Sequence, residues 1–131
     1  MSKRQKFVCG NWKMHGTLTE SESLLQALLS GYDDSMSGVE VCVCPPFTSL
    51  HSAASMLVSS GIQFGAQNCH FEAKGAFTGE ISPMMLAEAG CSYVILGHSE
   101  RRTIFGEKDD VIAKKVRAAI EVGLRPMESL A

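Results

Sequence analysis

No apolar run in these 131 residues reaches the ~20 needed to cross a bilayer, and the stretch after MSKRQK is broken by Gly10, Asn11 and Lys13 before it could form a signal core. A cytoplasmic protein without membrane contact is expected. Excess charge is also lacking. A formal net charge of −2 gives no whole-chain pull toward nucleic acid or anionic lipid, and the locally basic residues 1–6 read as a solvated terminus. The cysteines Cys9, Cys42, Cys44, Cys69 and Cys91 are odd in number and contain no CxxC pair and no zinc-ligand spacing. Small buried thiols in a reducing compartment are expected, with no metal site. The chain has no GxGxxG and no P-loop, which argues against nucleotide binding. It also lacks a linker and any low-complexity segment, so one domain over residues 1–131 is expected. What remains, 45% apolar and 20% charged residues, fits a globular domain with a real core.

One unit recurs along the chain: a short β-branched apolar run, a polar turn, an amphipathic helix and a closing glycine. The first strand is read at Phe7 to Cys9, followed by a helix from Thr19, where Thr19 and Glu22 have capping-box spacing. Leu24, Leu25, Leu28 and Leu29 would form its apolar stripe. The second strand, Val39 to Cys44, ends at Pro45 and Pro46. Its helix carries Leu50, Ala53, Ala54, Leu57 and Val58 on one side and stops at Gly61. A third strand at Ile62 to Ala66 runs into a long polar loop from Gln67 to Glu80, and the next helix is capped by Ser82 with Pro83 in its first turn. The fourth strand is Tyr93 to Leu96. Beyond it a helix shows Ile112, Val116, Ala119 and Ile120 on one face, with Lys114, Lys115 and Arg117 outside. Gly123 closes that helix, and Leu124 to Met127 would open a fifth strand. Strands joined through helices imply parallel pairing.

Polar residues follow the strands at their C-terminal ends, where parallel α/β folds bind ligands: Asn11 and Lys13 after the first, His98 and Glu100 after the fourth. Singly, the plainer reading of Lys13 is a surface lysine and of His98 a satisfied loop histidine. Together, a lysine and a histidine can polarise a carbonyl and ease proton removal from the adjacent carbon.

Three motifs in order, CGNWKM (Cys9 to Met14), AFTGEIS (Ala76 to Ser82) and YVILGHSERR (Tyr93 to Arg102), closely resemble the triosephosphate isomerases. The resemblance runs from about Phe7 to Pro126. It implies a (β/α)₈ TIM barrel, of which this chain covers about four βα units and the start of strand 5. It also implies interconversion of dihydroxyacetone phosphate and D-glyceraldehyde 3-phosphate through an ene-diolate, no cofactor, and a cytoplasmic homodimer serving glycolysis and gluconeogenesis. Matched by motif, Asn11 and Lys13 would contact substrate, Lys13 offsetting charge on the phosphate and the ene-diolate. His98 would be the catalytic electrophile, its imidazole kept neutral by a helix start, as is known for that family. SERR could supply that helix start. Ser99 and Glu100 would stand beside it in support, and Glu100 is not assigned as the base. The loop from Gln67 to Glu80 would reach into a partner subunit, with Thr78 near the partner's site and Met14 in the groove that receives the loop.

A whole barrel of this kind takes about 250 residues. The family's glutamate base, flexible lid and phosphate loops would follow beyond this chain. Residues 127–131 depart from the apolar strand expected there, which points to an alternative terminus from splicing or a gene-model break. A positioned base is worth ~10²- to 10⁴-fold, so the chain alone is expected to be inactive. Its unclosed strand edges are expected to favour self-association or partial unfolding. Two other readings stay open: a non-catalytic truncated form that associates with full-length subunits, and another phosphate-binding barrel or doubly wound domain.

Overall fold

A computed structural model describes residues 6–36 and 38–128. They fall into two compact units, divided between Gly65 and Ala66. In the first, β1 (Lys6–Asn11), α1 (Leu18–Gly31), β2 (Val39–Cys44), α2 (Leu50–Leu57) and β3 (Ile62–Ala66) alternate in chain order. β1 pairs in parallel with β2, from Lys6 opposite Val39 to Asn11 opposite Cys44, and β2 pairs in parallel with β3 through Val41 and Ile62. The parallel order requires a crossover between strands, and α1 and α2 supply it. β2 is deepest at Cys42, Val43 and Cys44, while Leu25, Leu50, Ala53 and Leu57 are the buried helix positions.

Several local features differ from the sequence expectations. β1 extends beyond Phe7 to Cys9 in both directions and takes in Asn11. The cap of α1 is Thr17, two residues before the expected Thr19. Thr17, in extended backbone, accepts the Glu20 N–H at 3.2 Å, and the Glu20 carboxylate accepts the Thr17 N–H at 3.0 Å. Two T-x-x-E spacings overlap here, and the earlier closes the reciprocal box. Of the four leucines expected on the stripe of α1, Leu25 is buried, Leu28 and Leu29 are half-buried, and Leu24 is exposed. The stripe's other buried residue is Ser21, whose Oγ accepts a 2.8 Å bond from Ser49. α2 ends at Leu57, leaving Val58 at the cap and 72% exposed, and Ser59 takes the left-handed turn at φ 63°. Gly61 has a different role. A Cβ there would sit 2.2 Å from the Tyr32 hydroxyl, so glycine permits a close approach of that ring.

In the second unit, α3 (Pro83–Ala89), β4 (Tyr93–Leu96), α4 (Ser99–Ile104), α5 (Asp109–Glu121) and β5 (Arg125–Glu128) follow a long loop. Ser82 caps α3 as expected, its side chain accepting the Met85 N–H at 3.2 Å. β4 pairs in parallel with β5 from Tyr93 opposite Arg125 to Leu96 opposite Glu128. Met127 and Glu128, the first residues of the atypical tail, therefore lie in a strand, while residues 129–131 and the basic residues 1–5 fall outside the described residues. α5 is rotated relative to the expected face. Ile112, Lys115 and Ala119 are buried, Val116 is half-buried and Ile120 is 58% exposed. Lys115 lies three residues after Ile112 and four before Ala119, so it belongs to the buried stripe. At the end of α5, Gly123 has φ 86° and Leu124 N–H returns to the Ala119 carbonyl, closing the helix as expected.

Candidate functional site

The predicted site residues occupy two strand ends. At the end of β1, the Asn11 side chain accepts the Lys13 backbone N–H at 2.9 Å, and Lys13 has φ 54°. A left-handed backbone is uncommon at lysine. Asn11 Oδ1 holds it there, so these two residues are set as a pair. Lys13 is exposed, and Trp12 N–H is bound to the Cys44 carbonyl at 3.1 Å, anchoring the segment to β2. Beside it a cavity of about 330 Å³ is lined by Trp12, His15, Gly16, Glu20, Ser21 and Leu24. Met14 is 94% exposed.

At the end of β4, Gly97 turns with φ 66° and delivers His98 to the cap of α4. His98 Nδ1 accepts the Glu100 backbone N–H at 3.1 Å, so a neutral ring carries its proton on Nε2. Nε2–H is thereby the donor left for a carbonyl oxygen. The Glu100 carboxylate lies 3.8 Å from Nδ1, and Ser99 is the first residue of the helix. Helix start, tautomer and ring direction are thus set together.

The residues that fasten this helix were not assigned roles from sequence. Arg102 Nε donates to the Gly97 carbonyl at 3.1 Å and its guanidinium pairs with Asp109 and Glu128. Arg101 Nε donates to Glu107 Oε2 at 2.8 Å, and the Lys115 ammonium reaches the same oxygen at 2.9 Å and Asn68 Oδ1 at 3.0 Å. Burial would raise the Glu107 carboxyl, but the hydrogen bonds from Lys115 and Arg101 outweigh it and hold the group below the usual carboxylate range. The signal in the sequence was a lysine on the apolar stripe of α5.

The long loop is internally organised. His70 N–H donates to the Ile81 carbonyl at 2.8 Å, closing the loop's base, and the His70 ring stands 4.3 Å from Phe71 and 4.4 Å from Phe77, centre to centre. Gly75 at φ 143° and Gly79 at φ 91° bend it, and Thr78 is exposed within the turn closed by Glu80 N–H on the Phe77 carbonyl at 2.9 Å.

The cysteines divide into two kinds. Burial pushes Cys69 up to about 11 and Cys91 up to about 12, which makes them inert. Cys9 is held below its ordinary value by hydrogen bonding with Cys42 and then Cys44, and Cys44 is raised by the same network.

Alternating strands and helices in parallel order, with polar side chains at the strands' C-terminal ends, define the α/β class in which loops carry the site. The chain belongs to the triosephosphate isomerase family: the family's model matches residues 6–128. It is 51% identical over 123 residues to the triosephosphate isomerase of Aquifex aeolicus, covering 94% of this chain and 49% of that protein. It is 52% identical over 124 residues to that of Herpetosiphon aurantiacus, with 95% and 49% covered. The crystal structure of triosephosphate isomerase from Bartonella henselae superposes with a TM-score of 0.86 at 45% identity, covering 95% of this chain and 50% of that one. The chain thus spans about half the length of the curated relatives it matches. Among the described residues, no helix is long and apolar enough to cross a membrane.

Proposed function

We propose that this chain carries the electrophilic part of a triosephosphate isomerase site. His98 donates from Nε2 to the substrate's carbonyl oxygen as a proton leaves the adjacent carbon and the ene-diolate forms. Lys13 offsets negative charge on the phosphate and the ene-diolate, and Asn11 contacts substrate while holding Lys13. The observation that supports this most directly is the 3.1 Å bond from Glu100 N–H to His98 Nδ1, which leaves Nε2–H as the donor. Ser99 and Glu100 support the imidazole rather than accept the substrate proton.

The 131-residue chain tested by itself should show no useful turnover, because none of Asn11, Lys13, His98 and Glu100 takes the substrate proton in this reading. The test is isomerisation of glyceraldehyde 3-phosphate by the purified chain. No rate above buffer is expected, and near-normal turnover would sink the reading. In the whole enzyme the activity is proposed to be cytoplasmic, homodimeric and part of glycolysis and gluconeogenesis.

A second reading, a non-catalytic form that pairs with full-length subunits, is favoured by the exposure of Met14 at 94% and Phe77 at 43%, on the two segments implied to meet across a dimer. Mixing the tagged chain with a full-length family member should then give co-purification and reduced activity. Failure to co-purify excludes it.

A further inference from the structure

We propose that Cys9, Cys42 and Cys44 form a three-thiolate site for a soft divalent cation of the zinc and cadmium group. The three sulfur atoms lie within 4.8 Å of one another, with Cys9 Sγ and Cys44 Sγ 3.6 Å apart. Strand register brings them together. Cys9 is the parallel partner of Cys42, and Cys44 lies two residues further along the same strand, so all three project to one face of the β1–β2 pair.

The dimensions suit a metal. At a zinc–sulfur bond of about 2.3 Å, sulfur ligands stand about 3.8 Å apart in a tetrahedral array and about 4.0 Å in a trigonal one. The thiols need shifts of under about 1 Å to reach that spacing, well within rotamer adjustment. The donor set is all sulfur, which selects soft thiophilic ions over magnesium or calcium. Charge selects further. Three thiolates leave one net negative charge on a divalent ion and two on a monovalent one, and burial penalises the larger charge. Cys42 and Cys44 are 1% and 0% exposed while Cys9 is half-buried, so ion and water approach from the Cys9 side, where water completes the fourth position. Cys44 is also the register partner of Asn11, which places the ion one residue pair below the side chain that holds Lys13.

Cd(II) titration of the reduced 131-residue chain tests the site. One equivalent should bind, with a thiolate-to-metal charge-transfer band in the ultraviolet and a single added ion in the native mass. Zn(II) should displace it competitively. Cys9→Ser should weaken binding by at least the about 10- to 100-fold that loss of an outer-shell partner costs. The paired change Cys69→Ser with Cys91→Ser should leave binding unaltered. Iodoacetamide labelling of the unaltered chain supplies a readout that needs no variant: one equivalent of Cd(II) should protect Cys9. No band at one equivalent, a band that survives Cys9→Ser, or equal labelling with and without Cd(II) overturns the proposal.

Discussion

Replacing Lys115 by alanine should destabilise the protein by about 1.5–3 kcal/mol, the worth of a buried hydrogen bond to a charged group that keeps a second cationic partner. The same change at adjacent Lys114 should cost no more than about 0.5–1 kcal/mol. The contrast follows from where the two ammonium groups end. Lys115 Nζ lies 2.9 Å from Glu107 Oε2, with both side chains 5% exposed, and 3.0 Å from Asn68 Oδ1. Lys114 is exposed and stands 5.2 Å from the centre of the Phe71 ring. Truncation at 115 leaves Glu107 Oε2 with the Arg101 guanidinium, 2.8 Å away, in a setting where Glu107 Oε1 already has no hydrogen-bond partner. With a urea m-value of about 2 kcal/mol/M, the unfolding midpoint should fall by roughly 0.7–1.5 M. Far-ultraviolet circular dichroism in urea reads this directly. Equal midpoints for the two alanine variants would refute the reasoning, as would a midpoint for the double change Glu107→Gln with Lys115→Met no better than that of Lys115→Ala. The pH dependence has a definite sign. Because the folded-state Glu107 carboxyl is depressed, its contribution is full above the unfolded value of about 4.3 and is lost as pH falls through the folded value. Glu107→Gln should therefore flatten the acid limb of the stability profile.

Thr17→Ala should cost about 1 kcal/mol by opening the capping box of α1, whereas Thr19→Ala, inside the first turn, should be nearly neutral. Urea midpoints ranked the other way would restore the later helix start. Gly97→Ala should cost at least about 1–2 kcal/mol, because alanine is strained at φ 66° and its Cβ would press on Ile112 at 3.1 Å. It should also move the imidazole resonances of His98, and unchanged stability together with unchanged His98 resonances would count against Gly97 as the residue that aims the ring.

Much of the fold could be read locally. The limits of β2, β3 and β4 coincide with the apolar runs at Val39 to Cys44, Ile62 to Ala66 and Tyr93 to Leu96, because turn residues bracket each run. The Ser82 cap, the Gly123 stop and the family motifs around Asn11, Lys13 and His98 were equally legible, since each depends on residues close in sequence. Other features were decided by neighbours far along the chain. Which threonine caps α1 was ambiguous between two overlapping spacings, and only the folded backbone selects one. Lys115 is buried because Glu107 and Asn68 wait for its ammonium, a pairing across 47 residues in the latter case that no periodicity records. The Cys9–Cys44 contact spans 35 residues and exists only through the β1–β2 register. The sequence by itself determined the family and the order of elements, because hydrophobic period and turn chemistry are local. Tertiary structure decided which charges and thiols share an interior, because register and helix rotation settle only when the strands and helices pack.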